Sequence, residues 1–232
     1  MILMHKDIDK LQKTIGYTFK NATLLTLALT HPSYSSEAGL ERYKSNQRLE
    51  FLGDAVLELV VSDYLYKEHP TEEEGELTRK RSSLVFEAAL AVCARNIGLG
   101  EFILLGIGET GCRGYEKPSI LSDAFEALIG AMYLDGGIDA ARSFIYKFVT
   151  ERIDELSLLH DGKSLIQKYV QKTAGNTLSY QTEEIIPTDG ALQCFRASLY
   201  INGELISEGI GQSKKIAEQD AAGKACKRLN IR

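Results

Sequence analysis

From about residue 7 to 157 the chain shows no regular apolar/polar alternation. Stretches such as NATLLTLALTH, QRLEFLGDAVLELVVSDYLYKE and SILSDAFEALIGAMYLD are long, apolar-rich and poor in Gly and Pro, which predicts successive helices rather than strands. Breaks are expected at His31-Pro32, at His69-Pro70, in the Gly-rich stretch 106–114 and at Asp135-Gly136-Gly137. Beyond residue 162 the pattern changes. Residues 164–174 read as a short amphipathic helix and SYQTEEII as a strand. Residues 194–201 alternate, with Phe195, Ala197, Leu199 and Ile201 on one face. Asn202-Gly203 then signals a tight hairpin into ELISEGIG. An Ala-rich helix from Lys214 closes an α-β-β-β-α order. The expected architecture is multidomain: an all-α domain over 1–158, a linker at 159–162 around Asp161-Gly162, and a small α+β domain over 163–232.

Composition narrows the class. The chain has 232 residues, 44% hydrophobic and 25% charged, which suits folded domains and excludes a disordered polyelectrolyte. No apolar run approaches the roughly 18–20 residues of a membrane span. The N-terminal MILMHKDIDK is charged within a few residues, so no cleaved secretion signal is expected. Four scattered cysteines without a CxxC pair argue against a zinc site or disulfide framework and fit a reducing cytoplasm. The net charge of −5 hides an asymmetry: residues 162–232 carry 10 bases and 7 acids (+3), and residues 1–161 carry 17 bases and 25 acids (−8). An acidic body joined to a mildly basic tail suggests two different tasks.

Candidate chemistry lies on the two most apolar helices. Leu49–Val61 has nine apolar residues of thirteen together with Glu50, Asp54 and Glu58. Glu50 and Asp54 share a face with Leu57 and Val61. Ile120–Leu134 is apolar at eleven of fifteen positions and carries only Asp123 and Glu126 as charges, spaced to be neighbours on one face. A carboxylate in such a helix has to be paired, protonated or bound to a cation. Two such helices packed together would form an all-oxygen pocket for a hard divalent ion, Mg²⁺ or Mn²⁺. The alternative is ordinary solvation, or pairing with Arg48, Arg79, Lys80 or Arg81, and spacing alone does not decide between them.

The string Asn46-Gln47-Arg48-Leu49-Glu50-Phe51-Leu52-Gly53-Asp54-Ala55-Val56-Leu57 closely resembles the signature of the ribonuclease III family. Leu29–Tyr34, Glu74–Thr78 and Leu121–Gly130 resemble its other landmarks, in its order. Gly211–Ala222 resembles a double-stranded-RNA-binding domain. The resemblance covers essentially the whole chain. It implies a cytoplasmic homodimer whose two centres face one valley holding duplex RNA, each cutting one strand. The products would be 5′-phosphate and 3′-hydroxyl ends with short 3′ overhangs, in maturation of ribosomal RNA precursors and other structured transcripts. By matching position, Glu50, Asp123 and Glu126 would ligate Mg²⁺, with Mn²⁺ as a substitute. Asp54 would act beside the metal and its water, and Glu126 in the chemistry as well.

The resemblance also assigns Phe51 to a socket on the partner subunit, with core packing as the plain alternative. Gly53 is expected to permit close helix approach, and His31 to be a packing or capping residue. Gln47 stands where many relatives carry Glu, so any accessory metal role there lacks a charge; Glu74 matches another accessory acid or is simply a solvated helix start. In the tail, Gln167 is expected at the RNA minor groove. Lys214 and Lys215 follow the N-cap Ser213, where cations oppose the helix dipole and make sense if phosphates bind; Lys224 would join them or be solvated. The first β-loop, Ile186–Ala191, lacks the His that relatives often carry there. A competing reading is a catalytically inactive RNA-binding regulator, against which the four intact acids speak.

Overall fold

The computed structural model describes residues 7–173, 175–185, 194–211 and 213–231. The chain divides into two compact units between Ile153 and Asp154. The first is all helical: α1 Ile8–Ile15, α2 Ala22–Ala28, α3 Pro32–Glu37, α4 Gln47–Glu68, α5 Glu74–Val85, α6 Glu87–Asn96, α7 Ile107–Gly111 and α8 Pro118–Phe148. The second contains α9 Ile153–Gln171, strands β1 Leu178–Ile185, β2 Cys194–Ile201 and β3 Glu204–Gly211, and α10 Lys214–Arg228. This is the expected helical domain followed by an α-β-β-β-α domain. Among the described residues no helix is long and apolar enough to cross a membrane. The four cysteines are free thiols.

α8 is the spine of the first unit. Its first half is mostly enclosed, with Phe125, Leu128 and Ile129 fully buried, and its second half keeps one face in the core through Phe144 and Ile145. The expected break at Asp135-Gly136-Gly137 is a kink within this helix, where Gly137 adopts φ 76°. The Asp135 carboxylate fixes the kink to the start of the chain by accepting the Tyr17 hydroxyl (2.7 Å) and the Lys20 and Asn21 amides (2.9 and 2.8 Å). The Gly-rich stretch 106–114, expected as a break, contains the one-turn helix α7. Two side chains catch its opening amides: Ser33 Oγ accepts Gly106 N–H, and Glu37 accepts Ile107 N–H. His31 is a capping residue as expected: its Nδ1 accepts Ser33 N–H at the start of α3, with Pro32 in the first turn. Burial pushes its imidazole pKa down.

The crossing of α4 and α8 is set by two glycines. A Cβ on Gly53 would lie 1.8 Å from the carbonyl oxygen of Glu126, and one on Gly130 would lie 2.3 Å from that of Leu49. Backbone therefore rests on backbone, closer than any side chain allows.

In the second unit the sheet is antiparallel in the order β1-β2-β3, with Tyr180 opposite Leu199 and Ala197 opposite Gly209. Asn202 and Gly203 both have positive φ (52° and 81°), as a two-residue hairpin turn between right-twisted strands requires. Ala197 and Leu199 bury against Ile166 of α9 and the alanine face of α10, Ala217, Ala221, Ala222 and Ala225. α10 lies close enough that a Cβ on Gly209 would sit 2.2 Å from the Ala217 carbonyl.

The linker expected at 159–162 is not a linker in the structure. Those residues lie inside α9, Leu158 already packs on the core of the second unit, and Gly162 is buried where a Cβ would approach Gly223 N to 3.0 Å. Gly162 does not end a helix; it packs tightly against α10. Ala174, Ile186 and the β-loop residues to Ala191 lie outside the described residues, and so does the position of the missing His.

Gly53→Ala should lower stability by about 1–3 kcal/mol or more in urea unfolding, because two backbones must separate. Gly75→Ala, whose Cβ would meet nothing within 4 Å inside α5, should be neutral or slightly stabilising. Equal effects of the two substitutions would refute the close-crossing account.

Candidate functional site

At 1.5 Å rise and 100° per residue, Glu50 and Asp54 follow one another along a single line of α4, with Gly53 beside them. Asp123 and Glu126 stand one turn apart on α8, next to Gly130. The glycine contact brings these two lines face to face. Ligand oxygens of Glu50, Asp123 and Glu126 all lie within 4.8 Å of one another, and each residue is half-buried. Asp54 is exposed at the rim, outside that group of three. Its charge still reaches Glu50 and Glu126, and it helps raise the pKa of each.

Among the described residues, no cation enters the electrostatics of the three. Burial pushes the Glu126 carboxyl up to about 8, and the charges of Asp54, Asp123 and Glu50 push the same way. Glu50 is raised by burial, then by Asp123 and Asp54. Asp123 is raised by burial and by Glu87, against a hydrogen bond from the Ser122 hydroxyl that favours its charged form. Two of the bases that might have neutralised these helices are engaged elsewhere. Arg81 pairs with Glu58 at 2.9 Å and donates to Ser62, and Lys80 pairs with Glu72. Glu58, the third acid of the α4 segment, is therefore an ion-pair residue and not part of the cluster.

Half-buried carboxylates this close repel one another unless a proton or a cation sits among them. The donor set is oxygen only, carries formal negative charge and stays open on the Asp54 side. Those are the properties that suit a hard divalent ion with room for water and a phosphate oxygen.

The remaining expected residues fall elsewhere. Gln47 is exposed at the first position of α4, one turn before Glu50, in a polar cleft. Glu74 accepts the Thr78 hydroxyl at 2.9 Å and lines a groove between α4 and α5, so within this chain it does not join the three acids. Phe51 is 80% exposed on α4, and Leu59 and Tyr66 continue an apolar stripe at 62% and 74% exposure. The same groove, about 400 Å³ and lined in part by Leu59, Leu65, Tyr66 and Leu77, borders this stripe.

In the second unit, Ser213 caps α10 by accepting Ile216 N–H, and Lys214 and Lys215 are exposed at that terminus. Gln167 is exposed on α9. Lys224 is held by Asp220 at 2.7 Å, a carboxylate that also accepts Ile210 N–H. Its charge is therefore partly committed, which the sequence spacing did not reveal.

Two family descriptions match. Residues 21–153 match the Ribonuclease-III-like family, and residues 163–229 match the double-stranded RNA binding motif. Among curated relatives, the Ribonuclease 3 of Geobacillus kaustophilus is 44% identical over 224 residues, covering 95% of this chain and 90% of the relative. That of Carboxydothermus hydrogenoformans is 43% identical over 229 residues, covering 97% and 96%. Among solved structures, the nuclease domain of ribonuclease III from Campylobacter jejuni superposes with a TM-score of 0.58 at 43% identity, covering 62% of this chain and 97% of that one. The chain belongs to the ribonuclease III family of double-stranded-RNA endoribonucleases, with a helical nuclease domain followed by a double-stranded-RNA-binding domain.

Proposed function

We propose that the protein is a Mg²⁺-dependent endonuclease that hydrolyses phosphodiester bonds in duplex RNA at the Glu50–Asp123–Glu126 centre. The observation that carries this reading is the three-carboxylate cluster, which among the described residues has no compensating cation. Glu50, Asp123 and Glu126 would hold the ion. When bound, it supplies positive charge against the scissile phosphate and makes water more acidic. Asp54, exposed at the rim, is placed to take the proton of the attacking water. The new bond joins that water's oxygen to phosphorus, and the bond to the 3′ oxygen breaks. The leaving oxygen takes up a proton, giving 5′-phosphate and 3′-hydroxyl ends.

Two copies would place two such centres along one duplex. The exposed Phe51–Leu59–Tyr66 stripe supports this assembly, because an apolar strip of that kind on a folded domain marks a contact surface. The groove between α4 and α5 is the site we assign to the partner's Phe51, and it would carry Glu74 to the neighbourhood of the other copy. Lys214 and Lys215, with the free amides at the N-terminus of α10, would hold phosphates, and Gln167 would lie at the minor groove, where duplex RNA is read by shape. The expected setting is the cytoplasm, and the expected substrates are ribosomal RNA precursors and other structured transcripts.

A duplex of about 40 base pairs tests the reading. Mg²⁺ should support cleavage by the unaltered protein, and Ca²⁺ should support binding without it. Asp54→Asn should bind and fail to cut. Binding without cleavage under any divalent ion would instead identify an RNA-binding regulator.

The protonation of Glu126 gives a second test. Without divalent ions the folded chain keeps a proton on Glu126 that the unfolded chain releases above about pH 4.5. Its contribution to stability is present at low pH and is lost as pH rises from about 4.5 through about 8. The melting temperature in EDTA should therefore fall over that range more steeply for the unaltered protein than for Glu126→Gln. Adding Mg²⁺ should remove the difference in slope and release protons at pH 7, measurable by calorimetry in buffers of different ionisation enthalpy. Parallel pH profiles in EDTA would refute this assignment of the proton.

For the tail, Lys214→Ala with Lys215→Ala should weaken duplex binding without sequence preference and lower the salt slope of log K by about 2. An unchanged slope would remove both lysines from the phosphate contacts.

A further inference from the structure

One cavity of the nuclease unit is not used by the reaction as described. It is about 580 Å³ and lies between α3, the segment after it and the first turn of α4, lined by Pro32, Ser35, Ser36, Leu40, Arg42 and Gln47. Arg42 and Gln47 are exposed, and neither side chain, nor the Ser36 hydroxyl, has a hydrogen-bond or ion-pair partner among the described residues. A guanidinium without an acid is notable here, because residues 1–161 carry 25 acids against 17 bases. Two other cations of this unit find acids: Lys44 pairs with Glu41 at 3.3 Å, and Lys117 with Glu109 at 2.6 Å. Ser35, by contrast, is satisfied internally through the Pro32 carbonyl and serves as wall.

The cleft adjoins the acidic centre. Gln47 and Glu50 are one turn apart on the same face of α4, about 4.5 Å along the helix axis. Gln47 lines the same cleft as Arg42 with a neutral amide, which adds no negative charge there. Uncommitted N–H and O–H donors, one of them permanently charged, therefore line a recess beside a site built to hold cations and a phosphate. We infer that the Arg42–Gln47–Ser36 cleft is a subsite for a backbone phosphate of the bound RNA, within a few nucleotides of the bond that is cut. Arg42 supplies the charge and a two-pronged set of donors, which suits phosphate geometry. Gln47 and Ser36 supply neutral donors. The effect is to seat the strand so that the scissile phosphate lies against Glu50, Asp123 and Glu126. This rests on the nuclease reading above.

The test is steady-state cleavage of a short duplex by the full chain, with single methylphosphonates walked over the phosphates on either side of the cut in both strands. Arg42→Ala should lower kcat/KM about tenfold at ordinary salt, mainly through KM, the size expected for one charge-assisted phosphate contact. Arg42→Lys should recover part of the loss. Gln47→Glu, which sets a carboxylate in the same cleft, should act in the same direction as Arg42→Ala. At one position the neutral methylphosphonate should slow the unaltered protein yet leave Arg42→Ala unaffected, since the contact is already gone. An Arg42→Ala protein within twofold of the unaltered one overturns the subsite. So does a tenfold loss that adds to the methylphosphonate effect at every position. Absence of cleavage by the unaltered protein on the unmodified duplex would instead be failure of the nuclease reading itself.

Discussion

Everything at the centre depends on two helices meeting without side chains between them. Where α4 crosses α8, the surfaces in contact are peptide groups, because Gly53 faces the Glu126 carbonyl and Gly130 faces that of Leu49. Ordinary helix pairs sit 8–10 Å apart, a spacing set by the side chains at the contact. Removing those side chains draws together the acids carried one turn to either side. Glu126 belongs both to the backbone contact and to the acidic cluster. The packing of the core and the geometry of the site are in that sense one arrangement, so neither can be altered alone.

That arrangement works against the fold. Burial of like charges raises the pKa of all three clustered acids, and the apolar stretches around them, from Leu57 and Val61 to Phe125 and Leu128, have to offset it. A divalent ion would convert this repulsion into attraction, so the strain is useful only when the ion is present. On the proposed reading the acidity of the body and the basic tail have separate work: one part would attract the metal, and the other would supply affinity for the polyanion.

The sequence carried much of this, unevenly. Helical segments, the strand alternation of 194–201 and the Asn202-Gly203 hairpin were all legible, because each is a local pattern with a local cause. The shared face of Glu50 and Asp54, and that of Asp123 and Glu126, were legible for the same reason. What periodicity could not tell was which acids end up without counter-charge, since Glu58 looks no different from Glu50 until Arg81 is found beside it. Gly162 misled for a related reason. A glycine that breaks a helix and one that lets two helices touch read alike, and only Gly223 across the gap distinguishes them. Lys224 was similarly ambiguous until Asp220 was seen to hold it. The cleft at Arg42 was invisible because it is enclosed by an irregular segment with no period to read.

The interior of the second unit has its own consequence. The helix-facing side of its core is made largely of alanine and glycine, with Ala197, Ala217, Ala221, Ala222 and Ala225 buried and Gly162, Gly209 and Gly211 at the points of closest approach. Each of these small residues gains little alone, so on this side close approach of the backbones adds to what Ile166, Leu199 and the surrounding larger side chains bury. Random substitution at these positions is therefore lopsided, because almost every codon change enlarges the residue and enlargement is what close-packed backbones do not tolerate. Drift in this unit should be confined to its exterior. The RNA-facing surface is then free to diversify over an interior that hardly varies.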